Sequence, residues 1–186
     1  MRKIFVILLL VAIPAHADHH RSHAIDFLLA AADELAIVQQ EISRYTNSYE
    51  PGDALFYTDA RVHSQLQNID NALDSIGTQI SVALAHLADP RDASLDLARR
   101  SLTQPTTSGE KSAVMQAWIV IYTNNVIRNN TEPGTSKGSN MLGVVGHGSV
   151  MWRHLDEAVW HVNDAIREEI YDDPVFICAG PNNHCE

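Results

Sequence analysis

The chain has 186 residues, with 13 Lys and Arg against 23 Asp and Glu, and a formal charge of −10 at pH 7. That acidity excludes nucleic acid and anionic membrane surfaces as expected partners and leaves cations and basic proteins. Beyond the first segment, no stretch approaches the roughly 20 apolar residues of a membrane helix, and the length suits one domain with a sizeable core.

Met1-Arg2-Lys3, an unbroken apolar run from Ile4 to Ile13, and Ala15-His16-Ala17 follow one another at the start. A basic n-region, a short h-region and an A-x-A site read as a secretory signal peptide, residues 1–17, cut after Ala17. Its brevity favours bacterial export, to a periplasm or out of the cell. The cut removes Arg2 and Lys3 and no acids, so the mature chain from Asp18 carries 11 basic and 23 acidic residues and a charge of −12.

Ser22 is a suitable N-cap for a first long helix, with Asp26 placed in its first turn where the helix dipole favours an acid. Ile25, Leu28, Leu29, Ala32, Leu35, Ile42 and Tyr45 recur at helical spacing, and Pro51-Gly52 ends the run. The second helix begins near Thr58-Asp59 and stops at Asp89-Pro90, because the residue before proline is pushed out of the α region. Val62, Leu66, Ile69, Leu73, Ile76, Ile80, Ala83 and Leu87 alternate gaps of four and three along it without a slip. Such a seam must be covered by other helices, within the chain or across an oligomer of the 62–87 seam. Gly77 inside it costs about 1 kcal/mol relative to alanine, and close approach of a neighbouring helix accounts for it.

A short helix over residues 91–102 comes next, then a loop, and Thr107 with Glu110 at capping-box spacing for the start of the third long helix. Ala113 to Tyr122 is apolar nearly all round, which predicts the most buried element. Pro133-Gly134 closes it. Residues 134–148 hold five glycines and read as an irregular, mobile connection; no preceding strand and no Walker spacing supports a phosphate loop. The fourth long helix is expected over about Ser149 to Tyr171, burying Met151, Leu155, Ala158, Val159, Val162, Ala165 and Ile166, with Trp152 at the core edge and Trp160 toward solvent. Cys178 and Cys185 in the tail flank a Gly-Pro-Asn turn and are expected to close a disulfide loop in an oxidising compartment. A thiolate and imidazole metal site with His184 is the competing use of these cysteines.

The expected architecture is therefore all-α: an up-and-down four-helix-type bundle over residues 18–174, with an extra short helix and a C-terminal tail, 175–186, carrying the disulfide loop. Alternating directions place His19, His20 and His23 near His86 and the exit of the fourth helix, and bring His63 near His147 and His154 at the other end. Nine histidines remain in the mature chain. The mature terminus Asp18-His19-His20 offers an amine, two amides and a third-position imidazole, a square-planar nitrogen set suited to Cu(II) or Ni(II). His23 stands beside it and His86 is a supporting ligand candidate. His154, Glu157 and His161 share a face of the fourth helix as a second candidate, although the pattern is not H-E-x-x-H and the paired E-x-x-H of di-iron bundles is absent. Local helix pairing explains the same three residues without a ligand. Asp70 and Asp74 form a like-charged surface pair.

No haem-attachment, nucleotide or nucleophile-elbow motif is present, and catalytic residues are not assigned. The leading expectation is a periplasmic or secreted protein binding Cu(II), Ni(II) or Zn(II) through its His-rich mature terminus. The rival is a non-enzymatic interaction module, such as an inhibitor, immunity protein or adaptor, that meets a basic envelope protein with an acidic helical face and the Gly-rich stretch.

Overall fold

The computed structural model describes residues 19–47, 60–91, 93–104, 111–129 and 136–172. Among these the regular elements are all helices: α1 (His19–Asn47), α2 (Ala60–Leu87), α3 (Ala93–Thr103), α4 (Ala113–Asn129) and α5 (Ser136–Asp172). No helix is long and apolar enough to cross a membrane among the described residues. The predicted signal peptide, Asp18, Pro51-Gly52, Thr58-Asp59, Thr107 with Glu110, Pro133-Gly134 and the Cys178 to Cys185 loop lie outside the described residues, as does the side chain of His63.

The alternating seam of α2 governs the packing. Leu66, Ile69, Leu73, Ile76, Ile80, Ala83 and Leu87 are all buried, covered by residues of the same chain. From Leu66 to Leu87 the seam is consumed inside the bundle. Around it, α1 packs on α2 and α5, and α4 packs on α2 and α5, while α1 with α4 and α2 with α5 make no close backbone approach. Those are the sides and diagonals of a four-cornered bundle. Neighbours run antiparallel: Arg21 meets the end of α2 while Leu35 meets Gly77, and Trp118 stands against Trp152 while Ile121 meets Gly148. A Cβ on Gly77 would stand 3.3 Å from Leu35 Cδ2, so the glycine does admit a neighbouring helix.

At about 1.5 Å per residue α2 spans about 42 Å and α4 only about 25 Å. The fourth wall is completed by α3, which packs on α2, α5 and α4 and buries Ser94, Leu95, Ala98, Ser101 and Leu102. Gln79 Nε2, well along α2, donates to the Lys111 carbonyl at 3.1 Å just before α4 begins. The short helix therefore fills the stretch of wall that α4 does not reach.

Several sequence expectations are corrected. Helix α1 starts at His19, three residues before Ser22, so Asp26 falls in the second turn. Packing of Arg21 and Ala24 against other helices extends it past the capping signal. Its buried face is Ala24, Leu28, Ala31, Leu35, Val38 and Ile42, whereas Leu29 is 41 % exposed. Helix α4 is not the most buried element: Met115, Trp118 and Tyr122 are 52, 52 and 69 % exposed. It starts at Ala113, where Ser112 Oγ accepts the Met115 N–H and the Ser112 carbonyl accepts that of Gln116.

The Gly-rich stretch is the largest correction, because residues 136–148 are helical and form the first third of α5. At two of its glycines a neighbouring helix lies close: a Cβ on Gly143 would touch Glu41 and one on Gly148 would touch Ile121, each at 3.4 Å, the near edge of ordinary contact. Met151, Leu155, Ala158, Val162 and Ala165 are fully buried as expected, Trp152 packs at the core edge, and Trp160 is 51 % exposed.

Candidate functional site

Helices α1 and α5 lie antiparallel along most of their length, and their contact is built from two columns with a seven-residue repeat. On α1 these are His20, Phe27, Glu34 and Glu41; on α5 they are His147, His154, His161 and Glu168. A seven-residue step returns a side chain to nearly the same helix face, so both columns point into one seam. The columns interleave. His20 lies between His161 and Glu168, Phe27 between His154 and His161 with ring centroids at 5.8 and 5.3 Å, and Glu34 Oε2 lies 2.7 Å from His147 Nδ1.

The histidines concentrate where α1 begins. His20 Nδ1 stands 3.0 Å from His161 Nδ1, and His20 Nε2 stands 3.2 Å from Glu168 Oε1. With His20 neutral and its Nε2–H donated to Glu168, its Nδ1 lone pair accepts the Nδ1–H of His161. His23 stacks on His161 at 5.1 Å, His19 meets His23 edge-on at 4.2 Å, and Trp160 closes the outer side at 4.7 Å from His161. Burial lowers the pKa of His161, and the neighbouring His23 and His20 push it the same way against the opposing charges of Glu157 and Asp164. The shift favours the neutral imidazole, whose lone pair is on Nε2 while Nδ1–H is donated to His20; binding an ion through Nδ1 requires the tautomer with the proton on Nε2.

Of the candidate ligands, His19, His20 and His23 are brought together and are joined by His161 from the second candidate set. His154 instead sits against Phe27, with Nδ1 buried and without a hydrogen-bond partner among the described residues. Glu157 is exposed. His86, half-buried in the last turn of α2, takes no part in the ring contacts of the cluster. His147 bonds to Glu34 on α1. Among the described residues no three His, Cys, Asp or Glu side chains already form a metal-holding group.

What the arrangement supplies is a pair of imidazole nitrogens from two different helices. Two nitrogens bound to one ion at about 2.0–2.1 Å stand about 3 Å apart, the separation of the facing Nδ1 atoms. Glu168 on the other nitrogen of His20 is the kind of carboxylate that orients a ligating histidine and raises its basicity. The seven-residue column on α5 was the signal in the sequence that could have assigned His161 and Glu168 to α1.

A second residue that sequence reasoning missed anchors this end. Arg21, 7 % exposed, donates from Nη1 to the Asp89 carbonyl at 2.5 Å, with the Leu87 carbonyl and Ser94 Oγ each at 3.4 Å. It thereby satisfies carbonyls at the end of α2 and ties the α2 to α3 turn to the histidine-bearing start of α1. Asp89 itself is lowered to about 2 by its hydrogen bonds with Arg91. On α2, partial burial raises the pKa of Asp70, and the charge of Asp74 adds to it as the smaller cause. In comparisons with protein-family models, curated proteins and solved structures, nothing matches this chain.

Proposed function

We propose that the chain is an exported helical-bundle protein, cut after Ala17 and acting in a periplasm or outside the cell, that binds a divalent transition metal at the histidine-dense end of its bundle. The observation that carries this reading is the 3.0 Å approach of His20 and His161 Nδ1 between α1 and α5, with His19 and His23 in ring contact and Glu168 behind His20. Imidazole and amine nitrogens suit Cu(II), Ni(II) or Zn(II). The amine of Asp18, freed by the cut one residue before His19 in the sequence, is a further donor in this reading. The amides of His19 and His20 belong to the first turn of α1, and first-turn N–H groups stand outside a helix's own hydrogen-bond ladder, so they too can serve a square-planar ion. Cys178 and Cys185 form a disulfide in this reading and are not ligands.

Two modes share His20 Nδ1: a terminal square-planar site made by residues 18–20 alone, and a bridging site that recruits His161. Titration of the mature protein with Cu(II), followed by visible absorption, separates them. Both modes predict a one-equivalent d–d band abolished by His20→Ala. The bridging mode predicts that His161→Ala shifts or weakens the band, and the terminal mode that it leaves the band unchanged. Unaltered spectra and melting temperature with micromolar Cu(II), Ni(II) and Zn(II) would overturn the reading.

A further inference from the structure

We infer, resting on the terminal mode of the metal reading, that His161 gates the site: its Nδ1–H holds the one His20 nitrogen that a square-planar ion on residues 18–20 requires, and loading the ion releases it.

The polarity of the histidine pair follows from Glu168. An ionised carboxylate only accepts, so the His20 Nε2 that stands 3.2 Å from Glu168 Oε1 carries the proton of the neutral ring. His20 Nδ1 then holds a single in-plane lone pair, and the nitrogen facing it at 3.0 Å, His161 Nδ1, is the donor. That donor is held in place by the rings around it. Phe27 stacks on the His161 ring at 5.3 Å and His23 at 5.1 Å, both from α1, and Trp160 meets it edge-on at 4.7 Å.

The terminal ion needs the same lone pair. A third-position imidazole completes the square of amine and two amide nitrogens through Nδ1, which closes a six-membered chelate ring with the amide nitrogen of its own residue. Nε2, on the far side of the imidazole, would close only a larger and strained ring. One lone pair serves either the His161 proton or the ion. Binding releases the amide protons of His19 and His20, and the extra proton of the terminal ammonium, to solvent. It breaks the hydrogen bond between His20 and His161, while the Nε2–H of His20 stays on Glu168. Glu168 thus supports the ligand in both states, and His161 is the group displaced. The loaded state has one tie fewer between α1 and α5.

His161 therefore opposes loading in the terminal mode, whereas in the bridging mode it would be a ligand and add affinity. The test is a competition titration of the mature protein with Cu(II) against a chelating dye, in the unmodified chain and in His161→Phe, which keeps a stacking ring and removes the donor. Loss of one competing hydrogen bond predicts about fivefold tighter binding in His161→Phe, with the position of the d–d band unchanged. Imidazole nitrogen NMR of the unmodified chain gives a second readout that a merely structural role would not move. The His161 Nδ1–H signal should vanish with one equivalent of Ni(II), whose square-planar complex is diamagnetic, and should be absent from metal-free His20→Ala. Equal or weaker binding in His161→Phe, or a His161 Nδ1–H signal that survives loading, would overturn the gate while leaving the metal reading in place. Absence of any one-equivalent band in the unmodified protein would overturn both.

Discussion

Arg21 and His161 show how single side chains acquire a role from helices distant in sequence. Arg21 is a buried cation whose guanidinium serves the carbonyl of Asp89 beyond the end of α2, and on truncation that carbonyl would keep only the Ser94 hydroxyl while the Arg21 contacts to Leu87 and Ser94 are lost. Arg21→Ala is therefore expected to lower stability by about 2–3 kcal/mol, read as a lower urea midpoint at unchanged slope. His161 has the opposite electrical character. Its pKa is lowered in the folded state, so as pH falls below the ordinary histidine value of 6.5 the unfolded chain takes up the proton first. The stability tied to its neutral form is present above that value and is lost as pH falls through the folded pKa. Melting curves from neutral to mildly acid pH should show a shallower decline for His161→Gln than for the unmodified protein; an equal decline would place the effect elsewhere.

Helix α5 best illustrates how neighbours override local propensity. Its first third carries glycines that, read alone, signal a loop, yet at Gly143 and Gly148 a neighbouring side chain comes within 3.4 Å of where a methyl group would stand. Gly146 is different, since a Cβ there would meet nothing within 4 Å. It carries the entropic cost of glycine in a helix with no packing return. Gly146→Ala is expected to stabilise the protein by about 1 kcal/mol and to raise the thermal midpoint, measured by circular dichroism. A neutral or negative change would mean that this turn of α5 is not helical in solution. The same logic applies to α4, where an almost wholly apolar sequence predicts deep burial, but a helix at a corner of the bundle buries only the faces turned to α2 and α5. Met115, Trp118 and Tyr122 are left on the outside.

For the whole molecule, the histidine cluster and Arg21 lie at one end of the bundle, where α1 begins, α2 ends, α3 starts and α5 nears its last turns. An ion shared by His20 and His161 would therefore join the first helix to the last. Metal at about a hundred times its dissociation constant should stabilise the native state by about 2.7 kcal/mol and raise the melting temperature accordingly. The bridging mode predicts that His161→Ala removes this increase even where a copper band persists; an undiminished increase would confine the ion to the terminus.

The seam from Leu66 to Leu87 was legible residue by residue, because a repeat of four and three specifies both the helix and the stripe it buries without reference to any partner. The close approach at Gly77 followed from the local cost of glycine in a helix, and it too could be read from the chain, whereas the alternating directions were a premise of the four-helix pattern. The composition of the histidine end was only half legible: His19, His20 and His23 are neighbours in sequence, while His161 and Glu168 are more than a hundred residues away and join them through the register of two antiparallel helices. Local patterning determined which residues are helical and which stripe of each helix is apolar. Which polar side chains meet across a seam, which glycines are spacers and which apolar face stays uncovered were decided by tertiary packing, because each depends on the identity and register of a neighbour that no local window contains.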